Sequence, residues 1–360
     1  MSTSTDPVLD TLFLPFQTKL LPWPRSNVLF LRARLGAPMR DPDFSNLLCE
    51  QSFKPDADAL TSAGFSLQNT DDTGKYAMVL VLLPRQRDEA RALLARAITL
   101  TQPGGQVVGC LSNSEGARSG EADLASLTGT VSSLSKHKCR VFWSTPLGSQ
   151  VNQKLVNEWL QLDTPRPISD ARFISRPGLF AWNRIDPASA LLAHALPADL
   201  SGHAADLGAG FGYLSVALLN RCPGISAIDL YEAEARALVL AKHNLHDYQS
   251  RAQLGFYWHD VTQGLSQRYQ VIISNPPFHT QGRADRPDIG KRFIAAAAAA
   301  LLPGGQLWLV ANRHLPYEEI LTSSFGQIRI VAQQDGFKII ATTKAGSTEA
   351  DKPVRSRRRR

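Results

Sequence analysis

An Asn-Pro-Pro-Phe sequence at residues 275–278 holds the side chains best suited to chemistry in this chain of 360 residues. It directly follows an apolar run, residues 271–274, that is typical of a buried strand. Each proline fixes φ and lacks a backbone donor, so the loop that leaves the strand must be stiff. The loop suits a planar group with an exocyclic amine, because the Asn275 side-chain oxygen and the Pro276 carbonyl can each accept one amine hydrogen while Phe278 stacks on the ring. This arrangement would direct the nitrogen lone pair at an electrophile.

A glycine-rich loop at residues 206–213 supplies a second candidate site. It follows an apolar strand and precedes a predicted helix, so a ligand there can approach both the backbone and the helix N-terminus. The glycines stand at Gly208, Gly210 and Gly212, whereas the dinucleotide-binding fingerprint would need glycine where Tyr213 stands. An acid two positions before the first glycine also differs from the pattern of NAD-binding proteins. The loop therefore predicts a different cofactor.

The Asp-x-Gly-x-Gly pattern resembles motif I of class I S-adenosylmethionine-dependent methyltransferases. That resemblance implies that the loop passes beneath the methionine part of the cofactor and that the acid helps to orient it. The cofactor contacts implied here come from Asp206, Gly208, Ala209, Gly210 and Gly212, and Asn275 of the Asn-Pro-Pro-Phe loop is a further cofactor contact.

Two further acids are implied as cofactor ligands. An acid after the second strand can accept hydrogen bonds from both ribose hydroxyls, and both Glu232 and Asp229 are candidates. In the resembling family this acid stands twelve residues before an Asn at the helix end, and counting back from Asn244 favours Glu232. After the third predicted strand, Asp260 would meet the adenine amino group.

The chain contains an internal repeat that indicates how these loops are positioned. Pro-Gly-Gly-Gln turns occur at residues 103–106 and 303–306, and each is preceded by a helical stretch and a strand that begins with tyrosine, at Tyr76 and Tyr269. Apolar strands alternate with helical segments in both halves, which predicts parallel βαβ units. We therefore predict an α/β protein with two tandem Rossmann-like domains, each a seven-stranded mixed sheet with helices on both faces.

The first half lacks both loops. Residues 31–38 contain a single glycine and a proline where the glycine-rich loop should stand, and residues 83–86 read Leu-Pro-Arg-Gln in place of Asn-Pro-Pro-Phe. We predict a degenerate N-terminal domain at 1–150 that binds no S-adenosylmethionine and supports the catalytic half. A connecting segment at 151–168 and a catalytic domain at 169–344 follow.

Residues 345–360 form a polar tail that carries most of the formal net charge of +7 and is predicted to be disordered. Its terminal arginines can contact a phosphate backbone, although a simply solvated tail is an equal alternative. The four cysteines are scattered and the histidines lack metal-ligand spacing, so we expect no disulfide and no metal site. Without a membrane-spanning stretch or a signal peptide, the protein is expected to be cytoplasmic, and we expect a monomer.

Taken in order, these motifs resemble the ribosomal RNA small subunit methyltransferase C family and its large-subunit paralogue. Additional matches are residues 176–180, 184–186, 310–317 and 336–338, together with the degenerate N-terminal half. The resemblance implies methyl transfer from S-adenosylmethionine to the exocyclic N2 of a guanine in ribosomal RNA, free or in a ribosomal subunit. Small-subunit (16S) RNA is the first choice and large-subunit (23S) RNA the alternative.

The resemblance also implies roles for individual residues. The catalytic set is Asn275, Pro276, Pro277 and Phe278. The candidate RNA contacts are His279, Arg283, Arg286, Asn312, Arg313 and Lys338.

Residues 181–183 depart from the family pattern, which leaves the target nucleotide open. Other enzymes with Asn-Pro-Pro-aromatic loops act on DNA adenine or on protein glutamine, which gives one alternative. An RNA-binding ribosome-assembly factor is another, against which the intact loops argue.

Overall fold

The computed structural model of the chain describes residues 6–68, 73–277 and 287–346. The chain forms two compact units. One comprises Met1–Asn183 together with Glu234–Arg236, and the other comprises Arg184–Ala233 together with Ala237–Arg360.

The first unit is built on a six-stranded mixed sheet with the order β2-β1-β3-β4-β6-β5, in which β1 to β4 are parallel and β5 and β6 antiparallel. Its strands are β1 (Val28–Leu31), β2 (Leu47–Glu50), β3 (Tyr76–Leu82), β4 (Thr101–Ser112), β5 (Val131–Lys136) and β6 (Cys139–Ser144). Its helices are α1 (Pro7–Gln17), α2 (Lys54–Ser62), α3 (Arg87–Leu100), α4 (Ala117–Thr128) and α5 (Gln153–Leu160). A small hairpin of β7 (Arg166–Ile168) and β8 (Phe173–Ser175) follows.

The second unit is built on a seven-stranded mixed sheet with the order β11-β10-β9-β12-β13-β15-β14. Its strands are β9 (Ser201–Leu207), β10 (Gly224–Glu232), β11 (Gln253–Trp258), β12 (Tyr269–Ser274), β13 (Leu301–Asn312), β14 (Gln327–Gln334) and β15 (Phe337–Thr343). Its helices are α6 (Pro187–Ala195), α7 (Tyr213–Arg221), α8 (Ala235–Asn244), α9 (Pro287–Ala300) and α10 (Glu318–Ser324). The strands from β11 to β13 are parallel, and β15 and β14 complete the sheet in antiparallel pairings.

The predicted α/β fold with two Rossmann-like units is confirmed, and the two sheets share one strand order. The repeated Pro-Gly-Gly-Gln turns lie inside β4 and β13, which occupy the same place in the two sheets and are both 12 residues long. Over the described residues, the first sheet has six strands instead of the predicted seven. At the place of β11 it retains a single parallel bridge, between Cys49 and Leu67.

The central strands of the second sheet are buried on both faces, as parallel strands are when helices cover both sides. Neighbouring residues Ile272 and Ile273 therefore belong to two different apolar clusters, one on each face. Burial of this kind fixes the strand register, because a slip by one residue would exchange the two faces. The carboxyl ends of β9, β10 and β12 are held side by side as a result.

Within the described part of the chain, no helix is both long and apolar enough to cross a bilayer. Over the same residues, no group of three or more His, Cys, Asp or Glu side chains is placed to hold a metal ion.

Candidate active site

The glycine-rich loop connects the end of β9 with the start of α7. Gly208, Gly210 and Gly212 all have positive φ values, of 75°, 56° and 91°. Side chains rarely adopt this backbone region, so the three glycines allow a tight strand-to-helix turn. A Cβ placed on Gly210 would meet no atom within 4 Å, whereas one on Gly212 would lie 2.5 Å from the Leu245 Cδ1. The loop is therefore closely packed at the helix and open at its centre, as a cradle for a ligand must be.

Asp206 lies beneath this loop with no solvent exposure. Its Oδ2 accepts a hydrogen bond of 2.7 Å from the Ser215 Oγ, while its Oδ1 is buried without a hydrogen-bond partner. Burial raises the pKa of the Asp206 carboxyl to about 7. An unpaired buried acceptor is costly, so a ligand that brings a donor or a positive charge to this loop would be stabilised. S-adenosylmethionine, with its ammonium and sulfonium groups, fits that requirement.

Glu232 ends β10, immediately beside the glycine-rich loop. Its Oε2 accepts a hydrogen bond of 2.7 Å from the Gly210 backbone N–H. The alternative acid, Asp229, lies inside the same strand and is 6 % exposed. Its Oδ2 accepts a hydrogen bond of 2.8 Å from the Tyr269 hydroxyl and lies 3.1 Å from the His203 Nε2. Glu232 thus lies at the carboxyl end of β10 beside the loop, and Asp229 belongs to an internal polar network.

Asp260 follows β11 and begins a 3-10 turn at Val261–Gln263. Its Oδ1 accepts a hydrogen bond of 2.9 Å from the Thr262 backbone N–H, and its side chain is half-buried. This cap fixes the carboxylate two residues beyond β11, whose last residue, Trp258, pairs in register with Glu232. Both acids therefore lie at the carboxyl edge of the sheet, where ligands bind in open α/β folds.

Asn275 follows β12, the neighbour of β9 on its other side. Ser274 pairs in register with Leu207, and its Oγ donates a hydrogen bond of 2.7 Å to the Leu207 carbonyl. This pairing places Asn275 level with the start of the glycine-rich loop. Pro276 is buried and Pro277 is exposed, so the first proline anchors the chain as it leaves the sheet.

The cap of α6 and a residue in its first turn hold the Asn275 side-chain amide. Its Nδ2 donates hydrogen bonds of 3.0 Å to the Asp186 Oδ2 and 2.9 Å to the Ser189 Oγ. The sequence did not identify either residue as part of the site. Asp186 immediately precedes Pro187, which is a recognisable helix-start signal, and it does cap α6. That signal identifies the cap but does not reveal the contact with Asn275.

The residues predicted to contact RNA differ in solvent exposure and in their hydrogen-bond partners. Asn312 is half-buried at the end of β13, and Arg313 is exposed directly after it. Lys338 is 5 % exposed, and its Nζ donates a hydrogen bond of 2.7 Å to the Glu318 Oε1 and one of 3.3 Å to the Leu315 carbonyl. Because this ammonium is buried and paired internally, its position argues against the predicted phosphate contact. Four predicted site residues lie outside the described residues: Phe278, His279, Arg283 and Arg286.

In the first unit, the residues that correspond to the glycine-rich loop and to Glu232 form ion pairs within that unit. Glu50 ends β2 as Glu232 ends β10, and the Arg96 guanidinium donates two hydrogen bonds of 2.6 Å to its carboxylate. Arg32, directly after β1, forms a 2.8 Å ion pair with Glu89. The carboxylate of Glu50 is thus paired with an arginine of its own unit.

Comparison with known proteins relates this arrangement to a family. The sequence-family model named methyltransferase small domain matches residues 170–341 of this chain. The ribosomal RNA small subunit methyltransferase C of Psychromonas ingrahamii is 28 % identical over 283 residues, which cover 78 % of this chain and 80 % of that protein. The protein of the same name from Shewanella baltica is 32 % identical over 269 residues, which cover 74 % of this chain and 75 % of the relative.

A solved structure shares the fold of both units. It is the 16S rRNA N2 methyltransferase (RsmC) of T. thermophilus in complex with AdoMet and guanosine. The two structures superpose with a TM-score of 0.76 over 95 % of this chain and 93 % of the other, at 23 % sequence identity. This similarity confirms the predicted two-unit architecture. The sequence relatives confirm the predicted family, and the chain belongs to the ribosomal RNA small subunit methyltransferase C family.

Proposed function

We propose that the protein transfers a methyl group from S-adenosylmethionine to the exocyclic N2 of a guanine in small-subunit (16S) ribosomal RNA. The observation that carries the proposal is the Asn275 amide, held with its nitrogen toward α6, one strand away from the open glycine-rich loop. The proposed amine acceptor would thus lie next to the proposed cofactor cradle, because β12 and β9 are neighbours in the sheet.

The cofactor site consists of the loop and the three acids around it. The backbone at Gly208, Ala209, Gly210 and Gly212 would pass beneath the methionine part, with Asp206 as the buried acceptor. The Glu232 carboxylate would accept hydrogen bonds from the ribose hydroxyls, and the Asp260 carboxylate would accept one from the adenine amino group. The cofactor supplies an already activated methyl group on a sulfonium ion. The protein then has to bring nucleophile and methyl group into line.

The substrate amine would be held by two oxygens of the Asn-Pro-Pro loop. The Asn275 Oδ1 and the Pro276 carbonyl would each accept one N–H of the guanine amine, which leaves the nitrogen lone pair free to attack the methyl carbon. The nitrogen–carbon bond would form as the carbon–sulfur bond breaks, with S-adenosylhomocysteine as the leaving group. The amine then loses a proton to water, so no strong base is needed. Pro277 would keep the loop rigid, and Phe278 would stack on a base that has left its helix.

The RNA would also contact basic and polar side chains around this edge. Exposed Arg313 and half-buried Asn312 support such a role, and His279, Arg283 and Arg286 are further candidates. The terminal arginines of the tail, at 345–360, are proposed to add contacts to phosphates. The tail beyond residue 346 lies outside the described residues.

We assign catalysis and structural support to different domains, with the boundaries predicted from the sequence. Residues 169–344 would catalyse the reaction, and 1–150, joined by 151–168, would support that domain without binding cofactor. The Glu50–Arg96 and Arg32–Glu89 pairs support this view, because Glu50, which ends β2 as Glu232 ends β10, is already paired with an arginine, and Arg32, directly after β1, is ion-paired as well. We further propose that the protein acts as a cytoplasmic monomer.

A labelling experiment tests the proposal. Purified protein would be incubated with methyl-labelled S-adenosylmethionine and, separately, with small subunits, large subunits, protein-free ribosomal RNA, DNA or a release factor. We expect label in N2-methylguanine of the small-subunit RNA. Label in the large subunit would transfer the assignment to 23S RNA. Label confined to DNA adenine or protein glutamine, or no transfer at all, would overturn the proposal.

The Asn275→Ala variant provides the matching test of the site. It should bind cofactor as the wild type does, because Asn275 lies beside the glycine-rich loop and not in it. Its methyl transfer should fall by about 100-fold or more, since an unaligned amine loses the advantage of positioning. Full activity in this variant would refute the role of Asn275.

A further inference from the structure

The orientation of the Asn275 amide depends on residues that lie far from it in the sequence. A side-chain amide has two orientations of nearly equal shape, with oxygen and nitrogen exchanged. Its Nδ2 faces the Asp186 Oδ2 at 3.0 Å and the Ser189 Oγ at 2.9 Å. The remaining hydrogen-bonding atom, the Oδ1, therefore points away from α6.

The two partners differ in what they can select. A serine hydroxyl donates as well as accepts, so Ser189 alone would tolerate either amide orientation. An ionised carboxylate accepts only, so the opposite orientation would bring the Asn275 Oδ1 against the Asp186 oxygens. Asp186 is half-buried and its Oδ2 also accepts a hydrogen bond of 2.8 Å from the Ser189 backbone N–H. The capping bond fixes the carboxylate, and the carboxylate fixes the amide.

We propose that Asp186, with Ser189, is a positioning residue for methyl transfer: it locks the Asn275 amide with its oxygen toward the substrate amine. The inference deepens the proposed function and rests on it. If the amide were free to rotate, half of its orientations would present N–H groups to a substrate that also donates N–H. Such an enzyme would bind cofactor normally but would align the amine poorly.

Asp186 has two roles: it caps α6, and it fixes the orientation of the Asn275 amide, which we call the lock. The choice of substitution can separate these two roles. Asp186→Ser retains a capping oxygen but is one bond shorter, so it should cap α6 without reaching the amide. Asp186→Asn can place its oxygen where the Asp186 Oδ2 now lies, and so preserves both cap and lock. Asn152→Ser changes the cap of α5, which accepts from the Leu155 N–H at 3.1 Å, and provides a matched control away from the site.

The experiment compares these full-length variants by kcat on the RNA that the wild type methylates, by cofactor dissociation constant from calorimetry, and by melting temperature. For Asp186→Ser we expect kcat to fall by about 10- to 100-fold while the cofactor dissociation constant stays within about threefold. Asp186→Asn should recover kcat to within about threefold of the wild type. Asn152→Ser should change melting temperature at most, with kcat unaffected.

Several outcomes would overturn the inference. These are a kcat for Asp186→Ser within threefold of the wild type, a kcat loss matched by loss of cofactor binding, and an Asp186→Asn variant as slow as Asp186→Ser. If Asp186→Ser fails to fold, Asp186→Thr takes its place, because threonine also caps helices and its hydroxyl is likewise one bond too short to reach the Asn275 amide. It should show the same loss of kcat at constant cofactor affinity, and no loss would refute the positioning role of Asp186.

Failure of the inference differs from failure of the proposed function. If the wild type methylates a different amine, the variants are compared on that substrate, and the lock is still tested. If the wild type methylates guanine N2 and Asp186→Ser does so equally well, the proposed function is supported and the positioning role of Asp186 is refuted.

Discussion

The Gly210 backbone N–H donates a hydrogen bond of 2.7 Å to the Glu232 carboxylate, and this bond joins the glycine-rich loop to the end of the neighbouring strand. The loop leaves β9 and Glu232 ends β10, and these strands are parallel neighbours in the sheet. A hydrogen bond to an ionised acceptor is stronger than a neutral one, so it stabilises the shape of an otherwise flexible glycine turn. Glu232 therefore shapes the loop in addition to its proposed contact with the cofactor ribose.

Substitution of Glu232 should weaken cofactor binding more than it slows transfer. In Glu232→Ala, both the Gly210 anchor and the ribose acceptors are lost, so we expect the dissociation constant for S-adenosylmethionine to rise by roughly 10- to 100-fold. Glu232→Gln retains one acceptor for the Gly210 N–H and should lose less. Isothermal titration with cofactor measures both values, and an alanine variant of wild-type affinity would contradict the assignment.

Asp229 should behave in the opposite way, as a residue of the folded core. Asp229→Ala removes the carboxylate shared by the Tyr269 hydroxyl and the partly exposed His203 ring, and leaves Tyr269 only its 2.6 Å contact with the Tyr231 hydroxyl, which should lower the free energy of unfolding by about 1 to 3 kcal/mol. Asp229→Asn keeps an acceptor and should cost less. Urea unfolding gives the stability and titration gives the cofactor affinity of the folded fraction. A large loss of affinity without a loss of stability would make Asp229 the ribose ligand instead.

The parts of the site that depend on backbone chemistry were predictable from the sequence. Glycines at 208, 210 and 212 and prolines at 276 and 277 restrict or release φ locally, so their patterns report loop geometry directly. The repeated turns predicted matching strands because β4 and β13 have almost the same alternation of buried and exposed residues. The local backbone geometry of these segments could therefore be inferred from the sequence alone.

Contacts between distant side chains were not predictable in the same way. Asp186 and Ser189 precede Asn275 by 89 and 86 residues, and only the folded sheet brings α6 next to the end of β12. Lys338 read as a surface cation, yet the register of β15 against β13 places it in the interior beside Glu318. The end of β10 also separates Glu232 from Asp229, since Glu232 is the last residue of the strand and Asp229 lies inside it.

Alanine substitution at Gly212 and at Gly304 should separate packing strain from backbone strain. Both glycines have positive φ, of 91° and 78°, but a Cβ at Gly212 would lie 2.5 Å from Leu245 while one at Gly304 would meet nothing within 4 Å. Gly304→Ala should therefore cost about 1 kcal/mol of backbone strain. Gly212→Ala should cost about 1 to 3 kcal/mol more, because Leu245 is fully buried and must shift. Urea unfolding measures both, and equal costs would contradict the close packing of the loop against α8.

The ionisation of Asp206 should make the stability of the cofactor-free protein depend on pH. Burial raises the pKa of this carboxyl to about 7 from an ordinary value of 3.8. The folded state therefore holds its proton where the unfolded state has released it. The stabilising contribution is complete below pH 3.8 and is lost progressively as the pH rises to about 7. Between pH 5 and pH 8 this single group should lower the free energy of unfolding by roughly 2 to 3 kcal/mol.

The Asp206→Asn variant isolates that contribution, because an amide keeps an acceptor for the Ser215 hydroxyl but does not titrate. Other ionisable groups affect both proteins alike and cancel in the difference between them. We expect the variant to gain stability relative to the wild type as the pH is raised from 5 to 8, by the same roughly 2 to 3 kcal/mol, in urea unfolding without cofactor. A difference that stays constant across this range would mean that Asp206 is ionised throughout. The unpaired Oδ1 would then need a partner other than its own proton.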